Sequence, residues 1–179
     1  MNIICVIGSL REKSLNRALF NTLKEIAPEG VVVGEAPIGG LAPFSEDEEN
    51  PLPAPVASFK KIITSADGVI FITPEYNRSI SGVLKNAIDW GTRPMGDNSW
   101  SGKNAAIMGA TPGALGTAAA QAHLRSIVVH LGMRVMGQPE FYFGTANKFL
   151  NEEGTSIKDE TIRERVRKFL DAFVTHIKK

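Results

Sequence analysis

The stretch Gly8-Ser9-Leu10-Arg11-Glu12-Lys13-Ser14-Leu15-Asn16 is the chain's best candidate for binding an anion. It follows a short apolar run and opens a segment with helical spacing. Backbone N–H groups at a helix start point outward and carry partial positive charge, which favours a bound phosphate. Ser9, Ser14 and Asn16 add side-chain donors, and Arg11 can pair two phosphate oxygens through its planar fork. The plainer reading is a helix capped by Ser14 or Asn16, with Arg11 in solvent. G-x-G-x-x-G spacing is absent and no Gly-Lys-Ser/Thr occurs, which excludes the dinucleotide fingerprint and the Walker A loop.

A second stretch, Thr73-Pro74-Glu75-Tyr76-Asn77-Arg78-Ser79-Ile80-Ser81-Gly82, has the chemistry for a flat ligand. Pro74 fixes the chain's exit from an apolar run. Tyr76 can lie against a ring, and Asn77 offers a donor and an acceptor to its edge. Taken alone, Pro-Glu-Tyr-Asn is a turn with a half-buried tyrosine. A third, Gly-rich turn lies at Gly109–Gly116.

The elements that would position these loops alternate along the chain. Ile3, Ile4, Val6 and Ile7 read as a strand covered on both faces. Leu15, Ala18, Leu19, Leu23 and Ile26 follow at helical spacing. Strands are expected at Val31–Val33, Val69–Thr73 and Ala105–Met108, with a fifth near Val135 and Met136. Helices are expected around Val56–Ile63 and Val83–Trp90, from Ala114 to Leu131, and over Ile162–Ile177. Between Pro37 and Pro55 lies a long Pro-, Gly- and acid-rich loop. Such alternation predicts an α/β fold, a doubly wound parallel sheet with helices on both faces. The three loops would then meet at the carboxyl edge of the sheet, where such folds bind ligands.

Bulk composition agrees. The 179 residues suit a single domain over 1–179, with 43% hydrophobic and 22% charged residues. A net charge of +1 gives no case for nucleic acid or an anionic membrane. No apolar run reaches a bilayer span, and no secretory leader is expected. One cysteine, Cys5, excludes a disulfide framework and suits a cytoplasmic location, and three scattered histidines give no metal cluster.

Taken together, Gly-Ser-Leu-Arg-x-x-Ser-x-Asn, Pro-Glu-Tyr-Asn and Leu-Lys-Asn-Ala-Ile-Asp-Trp (84–90) resemble the NADPH-dependent FMN reductase family, and within it the chromate and quinone reductase branch. The motifs occur in matching order from about Ile3 to Phe141. The resemblance implies a flavodoxin-like, five-stranded sheet of order 2-1-3-4-5 and bound FMN. It assigns the FMN phosphate to Ser9, Arg11, Ser14 and Asn16, with the Leu10 backbone beside it. Pro74, Glu75, Tyr76 and Asn77 would flank the isoalloxazine ring, and the turn with Thr111 and Gly113 would face its pyrimidine edge. Implied partners are NADPH or NADH as co-substrate, a small electron acceptor (quinone, chromate or flavin), and further copies of the chain in a homodimer or homotetramer. Arg125 and Glu140 match a pair that joins subunits in the chromate reductase branch, whose accompanying tyrosine is Ala122 here. Trp90, Met95 and Trp100 would be core, interface or ring pocket.

The expected activity is two-step hydride transfer from NAD(P)H through FMN to the acceptor. No side chain need act as nucleophile, and no triad is visible. Arg11, Arg78 and Arg93 are candidates for the NADPH phosphate, and Glu46-Asp47-Glu48-Glu49 reads as a solvated loop. Two rivals stand. One is a flavodoxin-like electron carrier without turnover of its own, though such carriers are strongly acidic. The other is a phosphatase, because Cys5 and Arg11 share the Cys-x5-Arg spacing of low-molecular-weight tyrosine phosphatases. Against it, Cys5 sits inside a strand run, Glu12 stands where Ser or Thr is needed, and the late Asp-Pro is missing.

Overall fold

The structure, a computed structural model, describes residues 1–179. Successive residues of a strand point to opposite faces of a sheet, and the first strand shows what covers each face. In β1 (Asn2–Ile7), Ile3, Cys5 and Ile7 enter one apolar core, while Ile4 and Val6 enter a second. The first core is closed by α1 (Leu15–Ile26) and α5 (Glu160–Ile177) through Leu19, Leu23, Phe169 and Phe173. Closing the second are α2 (Ala54–Thr64), α3 (Gly82–Gly91) and α4 (Ala118–His130), through Phe59, Leu84 and Leu124 among others.

The remaining strands are β2 (Val32–Glu35), β3 (Gly68–Ile72), β4 (Asn104–Ala110), β5 (Arg134–Val135) and β6 (Phe141–Phe143). All pairings are parallel, in the order β2-β1-β3-β4-β5, with β6 also on β4. This is the expected flavodoxin-like winding. Strand order reverses beside β1, so the carboxyl ends of β1, β3 and β4 open one crevice.

The structure departs from expectation at two places. The fifth strand position is filled by two short pieces on β4, because Pro139 between them lacks the N–H that a continuous ladder needs. Helix α4 begins at Ala118 rather than Ala114, because Gly116 (φ +62°) and Thr117 (φ +66°) are left-handed and cannot join a right-handed helix. Gly116 is required there for space as well, since a Cβ would lie 2.7 Å from the Tyr142 backbone carbon. Residues 36–53 form the long loop foreseen, with one short 3₁₀ turn at Glu46–Glu48. No helix is long and apolar enough to cross a membrane.

Candidate active site

The crevice starts where β1 ends. Gly8 passes beneath Pro74 and Leu84, and a Cβ there would meet Pro74 Cδ at 2.9 Å. The Ser81 hydroxyl donates to the Gly8 carbonyl at 2.6 Å and accepts from Leu84 N–H at 3.3 Å, so it caps α3 and fastens it to the loop. Beyond Gly8, the N–H groups of Ser9, Leu10, Arg11, Glu12, Lys13 and Ser14 find no acceptor within the chain. Only Ser9 and Ser14 of this run are buried, and the residues between them are exposed, so the donors at the start of α1 face the open crevice. Ser14 caps α1, its Oγ accepting from Asn16 N–H at 3.2 Å.

Asn16 departs from the simple donor role. It is buried, its amide donates to the Ala110 carbonyl at 3.0 Å, and its Oδ1 accepts from Ala110 N–H at 2.9 Å. This reciprocal pair ties the cradle to the end of β4. The Arg11 fork folds back onto the Lys13 carbonyl, with Nε 2.8 Å from it, and stays exposed at the rim. Leu10 is exposed, with its N–H among the free donors.

The second loop is a tight hairpin. Tyr76 and Ser79 exchange both backbone hydrogen bonds at 3.0 Å, around Asn77 (φ 51°) and Arg78 (φ 65°). Both central residues being left-handed is the signature of a hairpin turn, and Asn tolerates it best. Tyr76 is half exposed beside the cradle. The Glu75 carboxylate accepts from Ala119 and Ala120 N–H at 3.0 and 3.1 Å, and Arg78 lies 3.3 Å from its other oxygen. Glu75 therefore caps α4, whose own N-cap residue Thr117 makes no cap bond. His123 Nδ1 of α4 lies 3.1 Å from Ser79 Oγ, a second fastening.

The third loop is held from behind. Thr111 N–H donates to the Phe143 carbonyl at 3.0 Å, and Gly113 N–H reaches only Thr111 Oγ1 at 3.3 Å. The N–H groups left free in the turn are those of Ala114, Leu115 and Gly116. The three loops enclose a cleft of about 280 Å³ lined by Ser9, Arg11, Ser14, Asn16, Pro74, Glu75, Tyr76 and Thr111. A neighbouring cleft of about 340 Å³ shares Glu75 and Thr111 and adds Arg78 and Gly113. Leu10 and Asn77 do not line either cleft.

Residues 1–148 match the NADPH-dependent FMN reductase family. This chain belongs to that family. As an FMN reductase, it is an oxidoreductase that works with FMN and a reduced nicotinamide co-substrate. A 2-hydroxy-1,4-benzoquinone reductase from Burkholderia is 39% identical over 178 residues, 99% of this chain and 97% of its own. A quinone reductase from Pseudomonas putida is 40% identical over 174 residues, 97% of this chain and 90% of its own. The flavoenzyme NAD(P)H:(acceptor) oxidoreductase from Paracoccus denitrificans superposes with a TM-score of 0.92 at 40% identity, covering 99% of this chain and 97% of that one.

Other sequence candidates fall elsewhere in this FMN reductase. Cys5 is wholly buried in mid-strand, and burial, with Glu35 adding to it, drives its thiol far above the ordinary range. It can supply no thiolate, so the phosphatase reading fails. Trp90 and Trp100 are core, and Met95 is exposed. Arg93 is taken up by Glu46 and Glu49, so it is not free for a phosphate and the acidic run is not wholly solvated. Arg125 meets Glu140 within one chain at 3.1 Å, and the Tyr142 hydroxyl donates to Glu140 at 2.7 Å.

Sequence reasoning missed the cap on α4 because Glu75 lies 44 residues from Ala119. It missed Ser81 although a serine just before an apolar helical run is a readable cap signal.

Proposed function

We propose that this chain is an NAD(P)H-dependent quinone reductase that holds FMN at the carboxyl edge of the sheet. The observation that carries the placement is the run of unpaired N–H groups from Ser9 to Ser14, opening onto the cleft. A phosphate satisfies such a run, and Ser9, Ser14 and the Arg11 fork add charge-assisted bonds. Asn16 holds the cradle in shape through Ala110. Pro74, Glu75, Tyr76 and Asn77 flank the ring, with Tyr76 against its face and Glu75 fixing the loop. Free N–H groups of Ala114, Leu115 and Gly116, just beyond Thr111 and Gly113, donate to the pyrimidine edge, where negative charge gathers on reduction.

Bound FMN supplies the redox chemistry, taking hydride from NAD(P)H and passing two electrons to the acceptor. For a quinone, those electrons, the hydride's proton and one proton from solvent give the hydroquinone. Protein groups orient the reactants and need not form a covalent bond. Chromate and free flavin are further acceptors that an open cleft admits. Residues 1–179 act as one domain, and exposed Tyr76 and Leu115 at the cleft mouth suit a homodimer or homotetramer closing over the ring. One buried thiol suits the cytoplasm.

Steady-state kinetics with NADPH or NADH and benzoquinone test the two-step exchange. Parallel double-reciprocal lines are expected, because the first product leaves before the acceptor enters the same cleft. Converging lines would show that both substrates bind together and would contradict a shared site.

A further inference from the structure

The Leu-Lys-Asn-Ala-Ile-Asp-Trp segment does not line the flavin cleft. Asn86 and Trp90 face the long loop between β2 and α2 instead, while Lys85 and Asp89 pair with each other on the surface. Asn86 Oδ1 accepts from Phe44 N–H at 2.7 Å, and its amide donates to the Ala42 carbonyl at 2.9 Å. The Trp90 indole N–H donates to the same Ala42 carbonyl at 2.7 Å, and its ring takes Phe44 edge-on at a centroid distance of 5.0 Å. Arg93, one helical step on, lies 5.5 Å over the Phe44 ring and pairs with Glu46 and Glu49. Positions 86 and 90 share one face of α3, and Arg93 follows just past its C-terminal end. An irregular loop must find partners for its backbone groups, and α3 supplies them at residues 42 and 44.

The other side of this loop reaches the cradle. A Cβ on Gly39 would lie 3.2 Å from Leu10 Cδ2, so the Leu10 side chain rests on the Gly39 backbone. Leu10 sits near the start of the run of unpaired N–H groups and is otherwise exposed. Ser81 and Leu84 at the start of α3 bear on Gly8, immediately before that run. One helix thus braces the cradle directly at Gly8 and through the loop at Leu10.

We propose that Asn86 and Trp90, assisted by Arg93, are positioning residues that clasp the β2–α2 loop against Leu10 and so set how firmly the Ser9–Ser14 cradle grips the FMN phosphate. This deepens the flavin reading and rests on it. The clasp touches neither the ring loops nor the reacting atoms, so it governs retention of FMN and leaves the rate of its reduction alone.

A double-mutant cycle on FMN dissociation tests this. Asn86→Ala and Leu10→Ala are each expected to weaken FMN binding roughly three- to tenfold. Their combination should be no weaker than the worse single variant, because both remove one strut. In the Asn86→Ala chain the spectrum of bound FMN and its single-turnover reduction rate by NADPH should stay at wild-type values, and Lys85→Ala on the same helix should change nothing. Trp90→Phe, which keeps the ring contact and loses the N–H, should shift affinity the same way by less. It replaces Asn86→Ala in the cycle if that variant does not fold. Unchanged affinity, multiplying effects, or a reduction rate that falls with affinity would each overturn the clasp. A wild-type chain that retains no FMN would instead overturn the flavin reading beneath it.

Discussion

Ala110 has both backbone polar groups satisfied by one side chain, that of Asn16 in the first turn of α1, which the loop after β1 opens. Asn16→Ala leaves a buried donor and acceptor unpaired, a loss of about 1–3 kcal/mol. A clear drop in the apo melting temperature is expected, and weaker FMN retention with it. Asn16→Asp restores only the acceptor and places a carboxylate oxygen against the Ala110 carbonyl, so it should not rescue. Tyr142 gives a second test. Burial raises its hydroxyl above the usual value of 10.0, Glu140 adds to the rise, and Arg125 opposes it. The folded chain then holds this proton when the unfolded chain has lost it. The resulting stability is whole below pH 10.0 and fades as pH climbs through the folded value. In Tyr76→Phe, Tyr142 is the only tyrosine left. Its tyrosinate absorbance should emerge later than that of an unfolded control, and emergence at the control's pH would contradict the hydrogen bond to Glu140. At this scale residue types were legible but partners were not. That Ser9, Ser14 and Arg11 share one loop at the cleft could be read from the sequence, whereas the bond from Asn16 to Ala110 could not, because Ala110 lies 94 residues away.

Among the elements, α4 depends on a distant carboxylate. With no cap from Thr117, its first turn relies on Glu75. Glu75→Ala should cost about 1 kcal/mol from the lost cap and charge, read as a lowered melting temperature. Glu75→Gln, which keeps an acceptor, should lose less. Equal losses would mean that the charge at the helix end, and not the acceptor alone, carries the cap. The support behind the third loop is as specific. Gly144 abuts Ala114, and a Cβ there would lie 2.3 Å from the Ala114 carbonyl oxygen. Gly144→Ala is therefore expected to displace the turn and weaken FMN binding. The helices with strong apolar periodicity, α1 and α5, were readable almost to the residue, since repeating spacing is a local signal. The start of α4 was not, because its Ala-rich approach suits a helix and only the left-handed Gly116 and Thr117 stop it. Strand β6 was missed for a related reason: three residues carry no periodicity, and β4 alone makes them a strand.

The whole molecule converts distance in sequence into proximity. Parallel strands β1, β3 and β4 all end at one edge, so loops starting at residues 8, 73 and 111 meet over one cleft. Fold class and strand order were legible from alternation and the combined motifs, because a parallel sheet needs a crossover between strands and few windings satisfy that. Two apolar cores, one on each face, back this edge of the sheet. The most direct measurement is the visible absorbance of the FMN-loaded, desalted chain under argon, titrated with NADPH and then with benzoquinone. Flavin bands that stay with the protein, bleach with about one equivalent of NADPH and return with about one equivalent of quinone are expected for a two-electron carrier. A chain that loses FMN on desalting, or bound FMN that neither NADPH nor NADH bleaches, would contradict a flavin-dependent quinone reductase.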